Sequence, residues 1–143
     1  MLDSKDLEIL EVLQKNAKWT TSKISKKTLI PVTTVHNRIK KMESMGIIRG
    51  YTALLDHKKL GNAISAFVFT SIKGENPMKR GNEILQELNS FSEVHETYSV
   101  TGEHDIVLKV MVKDTDELHK FIERLNGIEG IEKARTSIIL KSG

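Results

Sequence analysis

From Val12 to Met42 the chain has no carboxylate, yet Lys15, Lys18, Lys23, Lys26, Lys27, Arg38, Lys40 and Lys41 all fall in that window. Such one-sided charge suits a polyanion binder, because each cation that meets a phosphate releases a counterion. A charge run also suits an ordinary solvated face, so charge alone leaves both readings open. The side chains among the cations narrow the choice. Thr33, Thr34, Asn37, Lys40 and Lys41 share one side of a helix, with His36 and Arg38 at its two borders. Asn can bond an adenine edge bidentately, Thr can donate or meet a thymine methyl, and Lys can neutralise phosphate. Together they describe a reader of double-stranded DNA. The alternative is a plain surface helix in a bundle.

A second group lies far along the chain, in Thr101-Gly102-Glu103-His104-Asp105. Gly102 can take positive φ, and the backbone N–H groups around it could receive a carboxylate. The same residues also suit an ordinary hairpin turn. The five His, at 36, 57, 95, 104 and 119, match no standard metal spacing, so no metal site is expected. No phosphate-cradling glycine loop, dinucleotide fingerprint, zinc-protease helix or nucleophile elbow is present. With no Cys, a thiolate nucleophile and a disulfide framework are excluded. No cofactor and no enzymatic activity are expected.

The basic group needs helices to present it. Leu2, Leu7, Ile9, Leu10 and Leu13 predict an amphipathic helix over residues 4–16, capped by Asp3 with Asp6 in its first turn. Thr20 can cap a short second helix to about Lys27, with Trp19 as an apolar staple. After a turn at Leu29-Ile30, Pro31 opens a third helix, whose Val32, Val35, Ile39 and Met42 face inward. A short helix, a tight turn and a helix exposing Thr, Asn and Lys suggest a helix-turn-helix. Gly46 ends it, and residues 47–55 read as a strand pair or an extended hinge.

Beyond Gly61 the pattern changes. Residues 63–73, 94–101, 105–112 and 131–140 read as strands. Residues 78–90, opened by Asn76-Pro77, and 115–126 read as helices, with Ile84, Leu85, Leu88, Leu118, Phe121, Ile122 and Leu125 inward. The order β-α-β-β-α-β is a ferredoxin-like unit, giving an α+β chain of two domains, residues 1–61 and 62–143. Its sheet should have one wet face, yet Ile64, Val68 and Ile72 alternate with Phe67 and Phe69. In the third strand Ile106, Leu108 and Val110 alternate with Val107 and Met111, so the uncovered face is expected to pack on another subunit.

The 143 residues carry a net charge of +3, which conceals the division. Residues 1–61 hold 12 Lys/Arg against 6 Asp/Glu, a net of +6, while residues 62–143 hold 10 against 13, a net of −3. A chain of this size buries roughly 68–70% of its unfolded surface, enough for a real core. No apolar run approaches the ~18 residues that span a membrane, and the acidic, amphipathic N-terminus lacks the features of a signal peptide. The expected setting is cytoplasmic and nucleoid-associated, with no membrane partner.

Taken together, these residues resemble the Lrp/AsnC, or feast/famine, transcriptional regulators. The matching motifs are Leu2-Asp3 with Asp6 and Ile9-Leu10, Asn16-Ala17-Lys18, Val35, Arg38-Ile39 and Glu43, and Gly46-Ile47-Ile48 with Gly50-Tyr51-Thr52-Ala53. Leu60-Gly61, Thr101-Gly102 with Asp105, and Gly130-Ile131 complete the set, which spans nearly the whole chain. The resemblance implies a winged-type helix-turn-helix domain, a hinge strand and a ferredoxin-like domain for effector binding and oligomerisation. It implies homodimers assembling into octamers on promoter DNA, modulated by a small amino acid. Base contacts would fall to Thr33, Thr34, Asn37 and Lys41, with Arg38 and Lys40 on phosphate; His36 and Lys18 join the interface. An effector pocket between dimers would use Thr101, Gly102, Glu103 and Asp105, with Thr136 and Ser137 from a neighbouring subunit. Four positions depart from the family pattern: Pro31 replaces a capping Ser, Lys23 and Ser25 replace Glu and Ala, and His104 replaces an aromatic. Two other functions stay in view: an architectural, nucleoid-type DNA binder, and a decarboxylase of a tetrapyrrole precursor.

Overall fold

A computed structural model describes residues 1–74 and 77–141, the side chains of 77–79 excepted; Asn76, expected to open a helix, lies outside them. The chain forms two compact units, Met1–Leu54 and Leu55–Gly143.

The first unit is built from α1 (Ser4–Lys15), α2 (Thr21–Thr28) and α3 (Val32–Ser44). Asp3 caps α1 as expected, and Asp6 returns a bond to the Asp3 N–H, so the two form a capping box. Ile9, Val12, Leu13, Ile24, Ile30, Val35 and Met42 make one core, with Trp19, Leu10 and Ile39 packed against it. Two expected core positions differ. Leu7 and Val32 are exposed, while Val12 and the carboxylate-bearing Asp6 are buried. On α1 the inward slot one turn before Ile9 belongs to Asp6, which leaves Leu7 facing out. Val32 is the first residue of α3 and stands beyond the core. Residues 51–56 make no sheet pairing within the chain, so the strand pair expected over 47–55 does not form; Ile47 and Ile48 instead turn back, their N–H groups donating to the Met42 carbonyl at 2.9 and 3.2 Å.

In the second unit β1 (Ile64–Thr70), α4 (Pro77–Leu88), β2 (Val94–Ser99), β3 (Ile106–Val112), α5 (Thr115–Asn126) and β4 (Arg135–Ile138) follow in the ferredoxin-like order. All pairings are antiparallel, in the spatial order β2-β3-β1-β4. The alternation in β3 is complete: Ile106, Leu108, Val110 and Val112 are buried, while Val107, Lys109 and Met111 are half-buried. Ala66 and Val68 join the buried set, covered by Ile84, Leu88, Leu118, Phe121 and Leu125 of the two helices. Burying a chain such as Phe121 stabilises by roughly 1.5–3 kcal/mol. The other face presents Phe67, Phe69, Val107, Tyr98 and Met111 in adjoining registers. Phe67 and Tyr98 are exposed on it. The last strand is shorter than expected: only Arg135–Ile138 pairs along β1, and Ile131 makes a lone bridge to Ile72.

Candidate functional site

In the first unit α2 and α3 are joined by a tight turn. Thr20 caps α2, and Leu29 ends it in the left-handed region at φ 58° and ψ 21°. Ile30 then dives into the core and Pro31 precedes α3 with φ −53° and ψ 141°. No side chain caps α3. Its first-turn N–H groups therefore stay open to water or to a phosphate oxygen.

On α3 the expected surface forms. Thr33, His36, Asn37, Lys40 and Lys41 are exposed, Thr34 is half-buried, and Lys18 is exposed before α2. Thr34, Asn37 and Lys41 line an open depression of about 310 Å³ together with Met1, Asp3, Asp6 and Arg38. Arg38 does not behave like its neighbours. Its Nη1 donates to Asp3 Oδ1 at 2.8 Å, Asp3 Oδ2 at 2.7 Å and Asp6 Oδ1 at 2.7 Å. Its Nη1 is thus already held by two carboxylates, a commitment that competes with the expected phosphate contact. The Arg38 hydrogen bond and the Asp6 N–H hold the Asp3 carboxyl below its usual range. For Asp6 the Asp3 N–H acts first and Arg38 second, in the same direction. Periodicity does not reveal this triad; the three-residue spacing of Asp3 and Asp6 is its one sequence signal.

The second cluster lies around residues 100–105. Gly102 takes φ 125°, where a glycine is favoured. Val100 N–H donates to the Asp105 carbonyl at 2.9 Å, and Asp105 N–H donates to the Thr70 carbonyl at 3.1 Å. Asp105 Oδ2 accepts from Ile72 N–H at 2.9 Å, so this carboxylate also pins the turn to the end of β1. Glu103 meets Arg135 at 3.1 Å, and His104 packs on Phe69 with ring centroids 5.6 Å apart. An open depression of about 610 Å³ is lined by Ser71, Lys73, Glu103, His104, Glu132, Lys133, Ala134 and Arg135. Of the expected effector residues, Glu103 lines it. Thr136 and Ser137 are exposed on β4, opposite Val68 and Phe67. Lys73, Lys133 and Arg135 carry no joint signal in the sequence, because two segments some 60 residues apart bring them together.

A further pair sits in the same unit. His57 and His95 meet edge to face with centroids 4.8 Å apart, and His57 Nδ1 is buried without a partner. His95 lies at the irregularity where β2 slips register between Val94 and Glu96. Among the described residues no group of three or more His, Asp or Glu could hold a metal ion. No helix among them is long and apolar enough to cross a membrane.

Comparison with known proteins places these surfaces in context. A family model described as the Lrp/AsnC ligand binding domain matches residues 65–142, and one described as winged helix-turn-helix DNA-binding matches residues 2–49. The chain is 36% identical over 141 residues to the HTH-type transcriptional regulator FL11 of Pyrococcus furiosus, covering 99% of this chain and 91% of that protein. It resembles the crystal structure of a Neisseria meningitidis transcriptional regulator in complex with L-methionine, with a TM-score of 0.90 and 28% identity over 99% of this chain and 91% of that one. The feast or famine regulatory protein of M. tuberculosis, also complexed with L-methionine, matches with a TM-score of 0.88 and 27% identity over 99% and 94% of the two chains.

Proposed function

Because the chain belongs to the Lrp/AsnC family of transcriptional regulators, we propose that it reads promoter DNA sequence-specifically through α3 and answers to a small amino acid. The observation that carries the DNA reading is the exposed, uncapped polar face of α3 within a window free of carboxylates. On this reading Asn37 bonds an adenine edge, Thr33 and Thr34 meet neighbouring bases, and Lys41 reaches a guanine edge in the major groove. Lys40, His36 and Lys18 border the phosphates, and the protein works at the nucleoid.

The remaining organisation follows from the same proposal. Residues 1–61 make the DNA-binding part with its hinge, and residues 62–143 sense and assemble. The uncovered sheet face, with Phe67, Phe69 and Tyr98, joins two copies into a homodimer, and dimers assemble into octamers. A two-fold dimer reads two half-sites about one helical turn apart. The effector's carboxylate is received by backbone N–H groups around Gly102, flanked by Thr101, Glu103 and Asp105. Thr136 and Ser137 come from a neighbouring subunit. The L-methionine complexes of the two structural relatives support an amino acid as the ligand. A thermal-shift screen of the twenty amino acids identifies it, since a ligand that binds only the folded state raises stability.

The DNA reading is tested with a duplex enriched from a random library by the protein itself. Asn37→Ala should relax specificity, while Lys40→Ala should weaken all sequences alike. Wild-type affinity in both variants would show that α3 is not the recognition helix. The architectural reading predicts that no sequence is enriched. Nothing in the described structure favours the decarboxylase reading, and the relatives named above are transcriptional regulators.

A further inference from the structure

Arg38 lies 35 residues after Asp3 and 32 after Asp6, yet the three form one closed network. Asp3 and Asp6 each accept the other's N–H at 3.0 Å, which closes the first turn of α1. Arg38 Nη1 then bonds both carboxylates at 2.7–2.8 Å. The Asp6 side chain is 5% exposed and that of Arg38 25%, against 53% for Asp3. A carboxylate buried as deeply as Asp6 needs a hydrogen-bonded partner of opposite charge. The network ties the middle of α3 to the start of α1, on the border of the face that carries Thr34, Asn37 and Lys41. Fixing one side of a helix in this way fixes its rotation about its own axis.

We infer that Arg38 is a positioning residue, clamped by Asp3 and Asp6 so that α3 presents Thr34, Asn37 and Lys41 to the base edges, and that it contacts no phosphate itself. This rests on the reading of α3 as the recognition helix. Two carboxylates against one guanidinium leave the triad with a net charge of −1, so it adds nothing to phosphate attraction. Its contribution is geometric, and it separates from a phosphate contact in two ways. A lost phosphate contact makes the salt dependence of binding shallower by about 0.9 in the slope of log K against log salt, whereas a lost clamp does not. Neutralising an acid beside a free phosphate-binding Arg strengthens DNA binding, whereas neutralising an acid of the clamp weakens it.

The experiment is fluorescence anisotropy on a fluorescein-labelled duplex enriched from a random library by the wild-type chain, at four salt concentrations. Lys40→Ala is the phosphate control, with a slope shallower by about 0.9. Arg38→Gln should lose about tenfold or more in affinity at every salt, on the scale of one lost base contact, with the wild-type slope. Arg38→Lys should recover part of that loss. Asp3→Asn, at the more exposed acid, and Asp6→Asn should both weaken binding. Trp19 fluorescence confirms that each variant is folded at the assay temperature. A shallower slope for Arg38→Gln, or tighter binding by the Asp3→Asn protein, overturns the assignment while the Lys40 control leaves the recognition reading intact. If the wild-type chain enriches no duplex, the recognition reading falls and takes the assignment with it.

Discussion

Leu29 holds a conformation that L-residues avoid, and replacing it should stabilise the first unit. Its φ of 58° lies in the left-handed region, where Cβ crowds the carbonyl oxygen at a cost of roughly 1–2 kcal/mol. The side chain is 90% exposed, so its removal forfeits almost no packing. Glycine removes the crowding but has more freedom to lose on folding, roughly 0.5–1 kcal/mol. Leu29→Gly should therefore gain about 0.5 kcal/mol. For a unit of this size that corresponds to a rise in Tm of about 2–4 °C. Leu29→Ala keeps the crowded φ, so it should not share the gain. The assay is thermal unfolding followed by the fluorescence of Trp19, the only Trp, which packs against the core of this unit. A Gly variant no more stable than the Ala variant would refute the idea that Leu29 is strained in this turn.

Phe67→Glu places a charge in the middle of the uncovered sheet face and should convert the chain from dimer or larger to monomer in light scattering; an unchanged mass would mean another surface joins the copies. Gly102→Ala is strained at φ 125° although its Cβ meets open space, so the Tm rise with the identified amino acid should be lost while DNA affinity of the free protein is kept. A full response in that variant would remove the turn from the site. Burial, then His57 and Lys109, push the His95 pKa down, with Glu96 opposing. A His with a depressed folded pKa contributes stability that is complete above its unfolded value near 6.5 and is lost as pH falls below it. Tm of the second unit should thus decline between about pH 7.5 and 5.5, and less steeply in His95→Gln; equal slopes would exclude this pair as the cause.

Much of this architecture could be read from one sequence. Asp3, Thr20 and Pro31 marked helix starts because capping is local chemistry. The two apolar sets of β1 and β3 were legible because side chains in a strand alternate with a period of two. Tertiary partners were less visible. Asp6 occupies an inward position because Arg38 reaches it from another helix, and no local pattern carries that information. The same pairing commits Arg38 Nη1 to two carboxylates. Around the Gly102 turn the positive φ was foreseeable, but the depression beside it takes Lys73 from just past β1, Lys133 from the approach to β4 and Arg135 from the start of β4. Only the sheet order brings those segments together. The short β4 has a similar origin, since pairing continues only where β1 runs alongside it.

The central claim is that α3 reads sequence, and one titration tests it most directly. The wild-type chain is titrated against its library-enriched duplex and against a scrambled duplex of the same length and composition, at one fixed near-physiological salt. Sequence reading predicts a preference of about 10³ or more for the enriched duplex. Equal affinity for the two duplexes would contradict it and leave the chain a general binder of DNA.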